Sequence, residues 1–213
     1  MSASQFLIEA CVESLKEALS AEAQGAHRIE LCSRLDLDGL TPSRKLIREV
    51  IQALNIPVNV MIRPRAGNFV YSHVEIEKMQ ASIKFCKEIG ANGVVFGILD
   101  NQNEVDITTT RILAELASPM QVTFHKAIDE VPDPIASVKV LNNIPSVTGI
   151  LTSGQAKTAK DGHLVIKAMA KATLNHLTII AAGKITNKNL ENLHKLIGVN
   201  AYHGRKITGN LNN

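Results

Sequence analysis

The fold of this chain is decided by the stretch Val58-Asn59-Val60-Met61-Ile62-Arg63-Pro64-Arg65. β-Branched residues alternate there with Asn59, Met61 and Arg63, and this two-residue period predicts a strand with two different faces. The β-branched face is expected to pack under helices, whereas the other face is polar and ends in an arginine. Pro64 has no amide hydrogen to donate to a sheet, so the strand is expected to stop there and to open into a loop.

The loop after this strand carries a second arginine and then a helix start. Ser72 and Glu75 have the spacing of a capping box, so a helix is expected to begin directly after Ser72. A strand that ends in Arg63 and is followed by Arg65 in its loop is typical of the mouth of a site for an anion, because the guanidinium fork matches carboxylate and phosphate oxygens.

The same unit of strand and helix recurs along the whole chain. Strands are expected at residues 6–12, 27–31, 58–63, 93–99, 121–125, 147–151, 177–181 and 199–202, with helices between them. The run at 93–99 is apolar throughout, as is typical of a strand buried on both faces of a parallel sheet. Eight such units predict a TIM (β/α)8 barrel that occupies residues 1–213 as a single domain. An open doubly wound sheet is the alternative, but no G-x-G-x-x-G motif opens the first helix.

The length predicts an incomplete last unit. The chain has 213 residues, whereas this barrel typically has about 250. Only residues 204–213 follow His203, so the eighth helix is expected to be short or missing. One flank of the barrel would then lack cover, and we expect a homodimer or a larger homo-oligomer.

The composition is that of an ordinary globular protein and argues against several classes of function. The formal net charge is only +3 and aromatic residues make up 3%, which argues against binding to nucleic acid or to a membrane surface. We expect neither a secretory signal nor a membrane helix, because the required apolar runs are absent from the sequence. The three cysteines lack the spacing of a disulfide framework. Free thiols indicate a reducing compartment, and the cytoplasm is the expected location.

Candidate site residues lie at the carboxyl ends of the predicted strands, where sites of this barrel are built. The element Glu-x-Cys occurs on the first two strands, as Glu9 with Cys11 and as Glu30 with Cys32. If these strands pair in register, two carboxylates and two thiols lie side by side. Buried free cysteines are usually small hydrophobic residues. The alternative is a soft-metal site, because Cu(I) favours thiolate and thioether ligands, and Met61 is then a candidate third ligand.

The carboxylates permit two interpretations. Inside a barrel, Glu9 and Glu30 need Arg63 or a histidine beside them, because an unpaired buried charge is costly. One interpretation is a structural layer of ion pairs. The other is an acid/base site with catalytic Glu9, Glu30, Arg63, His125 and Asp129, in which burial and Arg63 push the carboxyl pKa values apart.

The remaining candidates predict a place for an anionic ligand. Arg65, Ser153, Gly183 and His203 are predicted to bind it, since phosphate in this fold is often held by the loops after the last two strands. Ordinary salt bridges are the alternative for Arg65. The alanines before Gly183 hinder a close approach of phosphate, whereas the charges of Lys184 and Arg205 favour it. Arg63 is expected to lie next to solvent, where it can grip a carboxylate or phosphate; its alternative role is to neutralise the buried carboxylates.

The segment Met61-Ile62-Arg63-Pro64-Arg65-Ala66-Gly67-Asn68-Phe69-Val70-Tyr71-Ser72 resembles the signature of the CutC family of copper homeostasis proteins. The resemblance extends over nearly the whole chain and includes residues 9–14, 28–33, 39–43, 93–97, 122–125 and 151–154. It implies a TIM barrel and places Cys11 and Cys32 at the positions of the cysteines proposed to bind copper in that family. It therefore favours a cytoplasmic protein that binds Cu(I) through thiolates.

Departures from the family signature leave a second function open. Ala66, Asn68, Lys126, Ile128 and the pair Ala181-Ala182 differ from the family pattern, and all of them lie at the presumed mouth. A copper carrier needs little more than an accessible thiol pair, whereas this mouth is rich in acid, base and arginine side chains. The alternative is a barrel enzyme that acts on a small anionic or sugar-like substrate.

Overall fold

The chain folds into a closed barrel of parallel strands in a computed structural model that describes residues 6–211. The strands are β1 Leu7–Val12, β2 Arg28–Leu31, β3 Val58–Met61, β4 Gly93–Phe96, β5 Gln121–Phe124, β6 Val147–Thr152, β7 Thr178–Ala181 and β8 Ala201–Gly204. Each strand pairs in parallel with the next, and β8 pairs with β1 to close the sheet. The predicted TIM (β/α)8 barrel is confirmed.

A helix follows each of the first seven strands and covers the outside of the barrel. The helices are α1 Leu15–Ala23, α2 Arg44–Ala53, α3 His73–Glu88, α4 Ile107–Ala117, α5 Pro134–Leu141, α6 His163–Ala172 and α7 Leu190–Ile197. The predicted capping box of Ser72 and Glu75 is complete and begins α3. None of the helices between residues 6 and 211 has the length and apolar character needed to cross a membrane.

The eighth helix is missing from the described part of the chain, as the length of the sequence predicts. After β8, residues 205–211 form turns, and Ile207 and Leu211 are buried. Gln24, at the end of α1, donates a hydrogen bond to the carbonyl of Asn210 at 2.9 Å. A short irregular segment therefore packs beside α1 where a helix would lie in a complete barrel.

The strand β3 has the two faces that its alternation predicts. Val58, Val60 and Ile62 belong to the apolar core between sheet and helices, whereas Asn59 and Met61 are buried inside the barrel. The regular strand ends at Met61, before Pro64, although the amide of Ile62 still donates to the carbonyl of Val95. The chain then turns outward and forms the rim of the mouth.

The first two strands are staggered, and the expectation that they pair in register is wrong. Glu9 pairs with Arg28, and Cys11 pairs with Glu30. A barrel can close only if its strands shift along one another, and sequence similarity between two strands does not specify this shift. Glu30 therefore stands beside Cys11, and Cys32 lies one step closer to the mouth.

Candidate functional site

The carboxyl ends of the strands surround a cavity of about 800 Å3. The predicted site residues that line it are Cys11, Glu30, Cys32, Met61, Arg63, His125, Asp129, Gly183 and His203. Glu9 and Ser153 lie buried behind this surface. Arg65 lies outside the cavity, where it binds Glu75 at 2.6 Å and the carbonyls of Asn68 and Val70, and so anchors the loop to α3.

Two thiols and one carboxyl group form the thiol centre, which consists of Cys11, Cys32 and Glu30. The two sulfur atoms are 3.9 Å apart. Glu30 Oε1 lies 3.8 Å from Cys11 Sγ and 3.4 Å from Cys32 Sγ. Met61 and Val95 pack against the cysteines, and both thiols are free and buried. The arrangement offers soft donor atoms in a site that is almost fully buried.

The two thiols of this centre share a proton. The hydrogen bond to Cys32 lowers the pKa of Cys11 to about 6, while burial opposes this change and His203 assists it. The same hydrogen bond, together with burial, raises the pKa of Cys32 well above its usual range. At neutral pH the pair therefore holds one thiolate and one thiol, and the thiolate is the form that binds metal.

An ion-paired layer supports the thiol centre from below. Glu9 is only 1% exposed, and it binds Arg28 Nε at 2.5 Å and His203 Nδ1 at 2.9 Å. Burial raises the pKa of Glu9, but Arg28 and His203 outweigh burial and keep this pKa lowered. The arginine beside the carboxylates is thus Arg28 and not Arg63. Arg28 is not among the predicted site residues, although its two-residue spacing from Glu30 on one strand is a signal that places it inside the barrel.

Glu30 differs from Glu9 in having no strong partner. Its Oε2 is buried and accepts no hydrogen bond from the described residues, and its nearest cationic atom, His203 Nδ1, is 4.0 Å away. Burial raises the pKa of Glu30 to about 8, with His203 opposing this change. Glu30 is therefore largely protonated at neutral pH, whereas Glu9 is ionised.

Arg63 is fixed in the wall of the mouth, and the expectation that it lies next to solvent is wrong because it is only 5% exposed. Its terminal nitrogens donate to the carbonyls of Leu37 at 2.9 Å, Gly39 at 3.2 Å and Gly67 at 3.0 Å. Its guanidinium lies 4.9 Å from the centre of the Phe69 ring. This one side chain therefore joins the loop between β2 and α2 to its own loop between β3 and α3.

His125 lies at the end of β5 and is 3% exposed. Its Nδ1 accepts a hydrogen bond from the amide of Ala127 at 3.2 Å, and its ring centre is 4.8 Å from that of Phe69. Burial, reinforced by the charge of Arg63, lowers the pKa of His125 to about 3. The imidazole is therefore neutral at physiological pH.

Asp129 organises the loop that follows β6. Its carboxylate accepts hydrogen bonds from Thr152 Oγ1 at 2.5 Å, from the amide and hydroxyl of Ser153 at 2.9 Å, and from the amide of Gln155 at 3.1 Å. Gly183 packs against the same loop with a positive φ of 107°, and a Cβ there would lie 3.0 Å from that of Ser153. These contacts give the rim a defined shape.

Comparison with known proteins places the whole barrel in one family. Residues 6–208 match the model of the CutC family. A human protein named copper homeostasis protein cutC homolog is 40% identical over 201 residues, which are 94% of this chain and 73% of that protein. A CutC family protein of Pasteurella multocida is 36% identical over 92% of this chain and 80% of that protein. The crystal structure of a CutC protein from Streptococcus agalactiae has a TM-score of 0.90 at 32% identity and covers 95% of this chain and 99% of that chain.

Proposed function

The chain belongs to the CutC family, and on this premise we propose that it is a copper homeostasis protein that binds Cu(I) through Cys11 and Cys32. The observation that carries the proposal is the distance of 3.9 Å between the two sulfur atoms. A zinc–sulfur bond is about 2.3 Å long, so two sulfurs that share an ion of that size lie at most about 4.6 Å apart. The thiol pair meets this limit without a movement of the backbone.

The chemistry of the donor set favours Cu(I) over Zn(II). Cu(I) favours sulfur ligands, whereas structural Zn(II) sites need four nitrogen, sulfur or carboxylate donors. The thiol centre offers two sulfurs and the largely neutral carboxyl of Glu30, and Met61 packs against the same cysteines. Three sulfur side chains and a single thiolate suit a soft monovalent cation.

The state of the cysteines supports a cytoplasmic location. Cys11, Cys32 and Cys86 are free thiols, and free thiols persist where glutathione and thioredoxin keep them reduced. A homodimer or larger homo-oligomer also belongs to this proposal. The helix α1 would neighbour an eighth helix, and its Leu19 is 43% exposed; an assembly that covered this flank would withdraw this apolar side chain from water.

Catalysis is the second candidate function, and the separated pKa values of Glu9 and Glu30 favour it. Two neighbouring carboxyl groups that are ionised and protonated at the same pH are typical of acid/base pairs. In this proposal Glu30 gives a proton to a small anionic or sugar-like substrate, and Glu9 holds His203 as its charged partner. Arg63, His125 and Asp129 line the same cavity and would position the substrate.

A competition titration tests the copper proposal. We expect the reduced protein to take about one Cu(I) per chain from a chelator and to bind Zn(II) more weakly, because its ligands are soft. The Cys11→Ser, Cys32→Ser double variant should bind Cu(I) at least about 100-fold more weakly, because loss of both thiolate ligands exceeds the loss of a residue that only orients a ligand. The matched control is Cys86→Ser, which removes a buried core thiol whose pKa burial raises to about 12. Equal affinity of the double variant and the parent would contradict the proposal.

A further inference from the structure

Two buried N–H groups on the other side of the mouth have no acceptor among the described residues. They are Arg63 Nε and His125 Nε2, and both atoms are withdrawn from solvent. Both side chains line the mouth cavity, and both pack against Phe69. Buried donors are nearly always paired in folded proteins, so two orphaned donors in one cavity point to a ligand that supplies the acceptors. We call Arg63 and His125 the donor pair.

The orientation of Arg63 is set before any ligand arrives. Its two terminal nitrogens already donate to the carbonyls of Leu37, Gly39 and Gly67. These bonds fix the plane of the guanidinium, and Nε is the one nitrogen of the group that makes no hydrogen bond to a described residue. Arginine stays charged at all physiological pH values, so the cavity wall carries a permanent positive charge that no carboxylate among the described residues neutralises by an ion pair.

The tautomer of His125 follows from its own backbone contact. The amide of Ala127 donates to Nδ1, so Nδ1 must be the acceptor nitrogen of the neutral ring. The proton then resides on Nε2, which becomes a donor without a partner. The donor pair thus presents two N–H groups and a single positive charge.

The number of donors and the nature of the lining indicate the class of ligand. Two N–H groups and one positive charge match the two oxygens and the single negative charge of a carboxylate. Phosphate is the competing anion, because Lys126, Lys184 and Arg205 line the same cavity, but the amide of Ala182 in the loop after β7 is already used by the carbonyl of Thr152. The wall also has an apolar part, which would accept a carbon skeleton and consists of Leu35, Leu37, Ala66, Phe69, Leu151 and Ala182. A cavity of about 800 Å3 has room for such a molecule.

We propose that the donor pair binds the carboxylate of a small organic acid, with Arg63 Nε–H and His125 Nε2–H as the donors and the apolar wall around the carbon chain. This proposal names the class of ligand for the second candidate function, on which it rests, and it does not rest on the copper proposal.

Titration of the reduced, metal-free protein with butyrate tests this proposal at constant ionic strength. Butyramide, which has the same shape without the charge, and inorganic phosphate are the control ligands. We expect butyrate to bind more tightly than either of them, since only butyrate matches both donors and the apolar wall. In spectra of protein with 15N-labelled histidine, the Nε2–H signal of His125 should shift on addition of butyrate.

The variant His125→Asn separates the proposed bond from the fold. Asparagine keeps an acceptor close to the amide of Ala127 but has no counterpart of Nε2–H. Butyrate should bind this variant at least about tenfold more weakly, the loss expected for one hydrogen bond to a charged group. His163→Asn, at the start of α6 outside the mouth, is the matched control and should bind like the parent. No butyrate binding, equal binding of phosphate or butyramide, or parent-like affinity of His125→Asn would overturn the proposal.

Discussion

The thiol centre and the donor pair lie in one cavity, yet their chemistry is opposite. The thiol centre offers sulfur and oxygen atoms and contains the unpaired Glu30 Oε2, whereas the donor pair offers only N–H groups. Burial favours the neutral form of every group. It therefore raises the pKa of Glu30 to about 8 and lowers that of His125 to about 3. Similar burial thus leaves a protonated carboxyl group on one side of the mouth and a neutral imidazole on the other.

The largest loss of stability is expected when the ion pair beneath the thiol centre is removed. Arg28→Met leaves Glu9 buried with only His203 beside it, and the loss of one partner of a buried ion pair typically costs about 3–5 kcal/mol. Denaturation by urea at pH 7 measures the effect. Arg34→Met is the control, because Arg34 is 59% exposed and forms its ion pair with Asp36 at the surface, where such pairs contribute at most about 1 kcal/mol. Equal losses in both variants would show that Glu9 does not depend on Arg28.

A smaller effect is expected in the pH dependence of stability, to which the two sides of the mouth should contribute with opposite sign. The first of these contributions comes from Glu30. Its pKa rises from 4.5 to about 8 on folding, so its stabilising contribution is complete below pH 4.5 and is lost as the pH rises through 8. Glu30→Gln should remove this loss, which has a slope of at most about 1.4 kcal/mol per pH unit. Urea denaturation of parent and variant between pH 5 and pH 8 provides the measurement. Parallel pH profiles would mean that Glu30 ionises as readily in the folded chain as in the unfolded one.

For His125, the free energy of unfolding should change with pH in the opposite direction. The part of this change that can be measured is the smallest of these effects. The pKa of His125 falls from 6.5 to about 3 on folding, so its contribution is present above pH 6.5 and is lost as the pH falls through 3. Only the upper part of this window precedes general acid unfolding. His125→Asn should flatten the profile between about pH 6.5 and pH 4, with His163→Asn as the control. A profile as steep as that of the parent would contradict the neutral state of His125.

Local patterns in the sequence predict the architecture because they depend on neighbouring residues. Alternation in β3 assigns Met61 to the interior, and the capping box of Ser72 and Glu75 marks the start of α3. The position of Cys11 and Cys32 at strand ends likewise predicts that both reach the mouth. These features follow from the two-residue period of a strand and from the three-residue spacing of a capping box.

The details of the site depend on contacts between distant residues, which such patterns do not contain. The stagger of β1 against β2 pairs Glu9 with Arg28 and not with Glu30, and this shift is a property of the closed barrel. The burial of Arg63 similarly depends on the carbonyls of Leu37 and Gly39, which belong to the loop after β2. Arg63 lies at the end of its strand, as predicted, but the fold of that other loop over it is not specified by its own neighbours.

The closure of the barrel through β8 also determines when His203 can reach its place beside the thiol centre. His203 on the last strand bonds to Glu9 on the first, across 194 residues of sequence, and it helps to lower the pKa of Cys11. At a synthesis rate of about 5–20 residues per second, roughly 10 to 40 s separate the two residues on the ribosome. During that interval Cys11 lacks the contribution of His203 that lowers the pKa of its thiol in the finished barrel.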